Sequence, residues 1–220
     1  MNHSLKLYYV MDPMCSWCWA FRPSLEAVLN KYPDLSVTWV MGGLAPDSDV
    51  PMPQEMQDKI QGIWQTIEQQ TGTRFNYDFW RTQAPRRSTF IACRALLAAH
   101  FLSGEEGVFP ISGPQGQAPA LANAIQEAYY QKALNPSDPD VLIDLAEQAG
   151  FDREEFTELL NSEETQAVLE HHLSLRQQWA VSSFPTLLVE AKGTLYPLIQ
   201  GYLDKDKTLE FIDAAVAEFG

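Results

Sequence analysis

The sequence predicts an α/β fold in which a β-α-β unit and a β-β-α unit are separated by a long all-helical segment. Three observations lead there: four short strand-like runs confined to the two ends of the chain, apolar residues at helical spacing through nearly all of the middle, and a Cys-x-x-Cys just after the first strand. The first strand covers residues 5–11, and Asp12-Pro13 breaks it. From Ser16 the pattern turns helical, with Phe21, Leu25, Val28 and Leu29 on one stripe. The second strand, residues 36–41, is β-branched and aromatic and ends in Gly42-Gly43.

Helical spacing then takes over. Met56, Ile60, Ile63, Trp64 and Ile67 form one stripe, Phe90, Cys93, Leu97 and Phe101 a second, and Leu121, Ala124, Ile125, Ala128 and Tyr129 a third. Residues 103–119, rich in Gly and Pro, read as a long loop. Asp138-Pro139 supplies an N-cap and an N1 proline for a helix that stops at Gly150. Asp152-Arg153-Glu154-Glu155 resembles a capping box, and Ser162-Glu163-Glu164 caps a last long helix whose stripe is Val168, His172, Leu175 and Trp179. His172 reads there as a packed histidine rather than a base.

The third and fourth strands are residues 186–189 and 195–199, joined by a Lys192-Gly193 turn, and an amphipathic helix over residues 205–219 closes the chain. β-α-β followed by β-β-α is the order of a thioredoxin fold, its first half paired in parallel through a right-handed crossover. The expectation is a thioredoxin-like domain made of residues 1–50 and 180–220, interrupted by a helical insertion domain of residues 51–179.

Composition narrows the function. A chain of 220 residues with 45% hydrophobic content can bury a core. A net charge of −14 argues against nucleic acid and anionic lipid as partners. No apolar run approaches the roughly 18 residues that cross a bilayer, and Met1-Asn2-His3-Ser4 does not open a secretory signal, so a cytoplasmic protein is expected. The three cysteines are too few for a disulfide framework, and Cys93 reads as a buried structural thiol. Arg86-Arg87 reads as a solvated helix start rather than a phosphate clamp.

The chemistry sits in Cys15-Ser16-Trp17-Cys18. Cys15 falls at a helix N-terminus, where unpaired N–H groups and the macrodipole favour an anion and hence the thiolate that attacks disulfides. Cys18, one turn further in, is placed to resolve the mixed disulfide. The same spacing is half of a zinc site, but zinc needs two more ligands. Beyond Cys93 there are only His3, His100, His171 and His172, in no ligand-like spacing, so neither a metal nor a cofactor is implied. Trp17 is expected to be exposed and Trp19 to pack in the core. Far along the chain, Pro185 opens the third strand, a place where an X-Pro bond is a candidate for cis.

Met14 through Phe21, Gly42-Gly43-Leu44, Ala128-Tyr129-Tyr130, residues 135–139 and Phe184-Pro185-Thr186 together resemble the DsbA-like branch of the thioredoxin-fold oxidoreductases, most nearly its cytoplasmic FrnE-type members. The resemblance spans nearly the whole chain. It implies a cis-proline, Pro185, facing the two cysteines, and a substrate segment pairing with the backbone of Phe184 beside Ser16 and Trp17. The reaction implied is dithiol–disulfide exchange through Cys15 and Cys18, with polypeptides or small molecules bearing disulfides or thiols as partners, glutathione among them. Ser16-Trp17 supplies no cation between the cysteines, so a less oxidising couple than the periplasmic oxidants is expected, suited to isomerase or reductase work. Kappa-class glutathione transferases and 2-hydroxychromene-2-carboxylate isomerases share the architecture but usually carry Ser at the first cysteine, whereas this chain keeps both. A non-catalytic polypeptide-binding module is the other alternative.

Overall fold

The computed structural model describes residues 5–104 and 117–219. Most of the loop expected over residues 103–119 lies outside them. In chain order the elements are β1 (Lys6–Met11), α1 (Ser16–Lys31), β2 (Ser36–Met41), α2 (Gln54–Thr71), α3 (Phe79–Thr82), α4 (Phe90–Leu102), α5 (Gln117–Tyr130), α6 (Pro139–Gln148), α7 (Arg153–Leu160), α8 (Glu163–Gln178), β3 (Thr186–Ala191), β4 (Thr194–Gln200) and α9 (Lys205–Phe219). The sheet order is β2-β1-β3-β4, with β1 parallel to β2 and antiparallel to β3. β3 and β4 form a hairpin whose turn residues Lys192 and Gly193 both have positive φ, the geometry that matches strand twist in two-residue loops. This is the thioredoxin fold.

Alternation along the strands sorts the sheet's two faces. Leu7, Tyr9 and Met11 of β1 join Val37, Trp39 and Met41 of β2 and Leu187 and Val189 of β3 in the main core, against Phe21, Leu25 and Val28 of α1. Val10, Val40 and Leu188 point the other way and are covered by Val181 and the half-buried Trp179. α9 is tied to α1 by Lys31 and Tyr32, both bonded to Asp213, and by the Ser24 hydroxyl, which donates to the Leu203 carbonyl.

The helical segment departs from the expected pattern in two places. α4 has no amphipathic face: Ile91 through Cys93 and Ala95 through His100 are all buried, and it forms the axis around which α5, α6, α7 and α8 pack. In α8 the buried residues are Thr165, Leu169 and His172, while Leu175 and Trp179 are only partly covered. His172 is indeed packed, its Nδ1 accepting the Met41 backbone N–H at 3.0 Å and satisfying the end of edge strand β2. Asp152 and Ser162 cap α7 and α8 as the sequence suggests. Asp138 stands at the N-cap of α6 but does not cap it; its carboxylate takes Arg86 instead.

Candidate active site

The site forms where the C-terminal end of β1, the N-terminus of α1, the loop after β2 and the segment before β3 meet. Cys15 is the N-cap residue of α1, with extended backbone. Its sulfur lies 3.7 Å from the Phe184 carbonyl, to which the thiol donates. Cys15 is 6% exposed and Cys18, one turn deeper, is fully buried; both are free thiols. Burial pushes the Cys18 thiol well above the ordinary range. The adjoining Cys15 adds to that, while a hydrogen bond from the Asp12 backbone to the sulfur offsets part of it.

The Phe184–Pro185 peptide is cis. Pro185 itself is buried beneath the site, its carbonyl accepting the Gly201 N–H at 2.8 Å, and the surface presented beside Cys15 is formed by Ser183 and Phe184. The Phe184 ring rests on Gly42: a Cβ there would come within 2.3 Å of the ring's Cζ. The Arg176 guanidinium closes the back of this arrangement, donating to the Gly42 and Gly43 carbonyls at 2.6 and 3.0 Å and standing 5.5 Å from the Phe184 ring centroid.

Cys15, Ser16, Trp17 and Phe184 line a cavity of about 210 Å³ with Met14, Leu44 and Tyr129. Its far wall is Ile60, Ile63 and Trp64 of α2, so part of this helical stripe serves the site as well as the core, Trp64 being fully buried and Ile60 and Ile63 partly exposed. A second cavity of about 320 Å³ continues past Trp17 to Gln70, Gly201 and Tyr202. Trp17 is not exposed as expected: it is half-buried, its ring 5.6 Å from that of Tyr202. Trp19 is likewise half-buried, stacked on Tyr130 at 5.7 Å. Behind Cys18 lies a smaller cavity, about 110 Å³, bounded by Tyr9, Trp39 and Arg22.

Asp12 is the residue that sequence reasoning missed. It is fully buried, and its carboxyl accepts the Met14 N–H at 2.8 Å, the Leu44 N–H at 2.7 Å, the Thr89 hydroxyl at 2.7 Å and the Cys93 thiol at 3.7 Å. These bonds lower its pKa, but desolvation outweighs them and the net shift is upward. One side chain thereby joins the turn before Cys15, the loop after β2 and helix α4. The signal available was an acidic residue in an otherwise apolar approach to a Cys-x-x-Cys. Cys93 is buried and far from solvent, and burial raises its thiol as well.

The profile of the DSBA-like thioredoxin domain matches residues 6–210. The ClpXP adapter protein SpxH of Bacillus subtilis (strain 168) is 24% identical over 185 residues, which is 83% of this chain and 57% of that protein, so the chain spans little more than half the length of this curated relative. Among solved structures, a Nitrosomonas europaea protein provisionally named a protein disulfide isomerase superposes with a TM-score of 0.83 at 24% identity, covering 98% of this chain and 99% of that one. The cytosolic disulfide reductase DsbM of Pseudomonas aeruginosa superposes with a TM-score of 0.75 at 23% identity, covering 97% and 99%. At these identities the superpositions establish the shared fold.

Proposed function

The chain belongs to the DSBA-like thioredoxin domain family, and on that premise we propose that it is a thiol–disulfide oxidoreductase working through Cys15 and Cys18. The observation that carries this reading is one sulfur at the mouth of an apolar cavity, 3.7 Å from the carbonyl of Phe184, with a second thiol buried one helical turn behind it. As a reductase, the Cys15 thiolate attacks one sulfur of a bound disulfide; the Cys15–substrate bond forms and the first substrate thiolate leaves. Cys18 loses its proton, attacks the Cys15 sulfur, and releases the second substrate thiolate as the Cys15–Cys18 disulfide closes. Two electrons pass to the substrate, whose leaving thiolates take up protons, and two equivalents of an external thiol return the electrons as they join in a disulfide. Burial holds Cys18 protonated until Cys15 is engaged, which sets the order of attack.

In this reading Ser16, Trp17 and Phe184 contact the substrate, Pro185 shapes the turn that carries Phe184, and an extended segment pairs with the Phe184 backbone. The absence of a cation between the cysteines favours reductase or isomerase work over strong oxidation. The name of the neighbour DsbM, a cytosolic disulfide reductase also solved with GSH, supports a reducing compartment and glutathione as a thiol partner.

The test is disulfide reduction by wild type and two variants. Cys15→Ser should fall to the uncatalysed rate, and Cys18→Ser should accumulate a covalent glutathione adduct on Cys15 visible by mass spectrometry. Thiol-independent polypeptide binding with no turnover in wild type would replace this reading with that of a binding module, the role that the name of the SpxH relatives suggests for those proteins.

A further inference from the structure

We propose that Arg87 anchors a carboxylate of the substrate beside Cys15, so that the site selects disulfides and thiols of small acidic peptides over neutral ones. This rests on the exchange reaction proposed above and names the substrate class of the same site.

The chain carries 29 acidic against 15 basic side chains. Yet the described residues lining the two cavities around Cys15 and Trp17 include no Asp or Glu, and the single formally charged one among them is Arg87. Most of the wall around it is apolar, from Leu44, Ile60, Ile63 and Trp64. A charge facing low-dielectric walls acts on a bound ion more strongly than the same charge on open surface.

Arg87 is exposed, and among the described residues its side chain makes no hydrogen bond or ion pair. Its neighbours differ. Arg86 is held by Asp138 and the Ser137 carbonyl, Arg94 by Asp47 and Gln166, and Arg176 by the Gly42 and Gly43 carbonyls. Arg87 lines the same cavity as the buried Tyr129 hydroxyl, whose pKa its charge lowers against a larger upward push from burial and a smaller one from Asp12. Tyr129 lines the same cavity as Cys15. A guanidinium with no partner among the described residues, set over a pocket whose described lining holds no acid, fits a carboxylate through paired N–H donors. The overall negative field repels anions at long range, so selection operates at contact rather than in steering.

The experiment measures rate constants for oxidation of the reduced protein by oxidised glutathione, by its tetraethyl ester and by neutral hydroxyethyl disulfide. Arg87→Gln should lower the ratio of the oxidised glutathione rate to the hydroxyethyl disulfide rate by about tenfold, the size of one charge-assisted hydrogen bond. Arg87→Glu should lower it further, Arg87→Lys should restore part of it, and for the ester the ratio should not move. An unchanged ratio in Arg87→Gln overturns the anchor while leaving the exchange reaction standing. A second measurement reads the anchor without the chemistry: calorimetric binding of S-methylglutathione to the Cys15→Ser, Cys18→Ser double variant should weaken about tenfold with Arg87→Gln. If wild type reacts with no disulfide, the proposed function fails and this binding result alone decides the anchor. Equal binding with and without Arg87 overturns it.

Discussion

Asp12 shows how much one buried side chain can organise. Four donors converge on its carboxyl, from the turn before Cys15, the loop after β2 and helix α4. Asp12→Asn keeps the shape but sets an amide N–H against the Leu44 N–H and the Thr89 hydroxyl. We expect a loss of about 2–4 kcal/mol in urea unfolding, the scale of a buried polar group left facing the wrong partner. The pH dependence has a definite sign. The Asp12 pKa is raised on folding, so between the ordinary carboxylate range and the folded value the native state holds a proton that the unfolded chain has released. Stability from this group therefore falls as pH rises through that window, and recovers on acidification. Unfolding free energies of wild type and Asp12→Asn should converge as pH increases from about 4 upward; parallel pH profiles would show that the carboxyl does not titrate there.

At the scale of elements, the loop after β2 is what aims Phe184. Gly42 leaves the space into which the Phe184 ring fits, and Gly43, at φ +60°, turns the chain beneath Phe90 and Leu173. Arg176 on α8 then fastens both carbonyls. Gly42→Ala would push the ring, and with it the carbonyl that Cys15 faces. Disulfide reduction should drop by about tenfold or more, in line with the cost of displacing a positioning group by about 1 Å. Phe184→Ala in the same chain removes the clash and should return part of the rate; a Gly42→Ala protein as active as wild type would mean that the ring's seat is irrelevant to exchange. The α2 helix matters differently. Trp64 and Ile67 hold it in the aromatic cluster with Phe75, Phe79 and Tyr130, and this leaves Ile60 and Ile63 free to wall the cavity.

For the molecule as a whole, the division between a thioredoxin-like part and a helical part is one of chain order rather than of cores. The main apolar cluster runs without a break from Leu7, Phe21 and Val37 through Leu96 and Ile125 to Leu142 and Leu160. The described residues of the two terminal segments, 5–50 and 180–219, therefore share a core with the helices inserted between them. We expect the tryptophan fluorescence and far-ultraviolet circular dichroism signals to report one coincident thermal transition. Two separated transitions would restore the picture of independently folding domains. Leu96→Ala, at the axis of α4, should lower the single transition by about 2–5 kcal/mol, as expected for a cavity in a fully buried place.

Much of this was legible in the sequence. Short apolar and β-branched runs bounded by turn residues placed all four strands, Ser16 marked the start of α1, and the Asp152 and Ser162 caps stand where their spacing suggests. Local geometry, capping and alternation are properties of neighbouring residues, so they can be read along the chain. The site was legible only as two separate motifs. That the Cys15 thiol meets the Phe184 carbonyl depends on β3 inserting beside β1, a pairing across almost the entire chain. For the same reason Thr89 and Arg176 escaped notice, Asp12 read only as a strand breaker, and Arg87 read only as part of a solvated helix start. Whether an acid is buried, an arginine is paired or an isoleucine lines a cavity depends on elements remote in sequence, and no periodicity encodes it. The sequence by itself determined where the strands and most helices form and which thiol stands at a helix start; only the tertiary structure decided what surrounds them, because burial and partner choice are set by contacts that exist only after the chain has closed on itself.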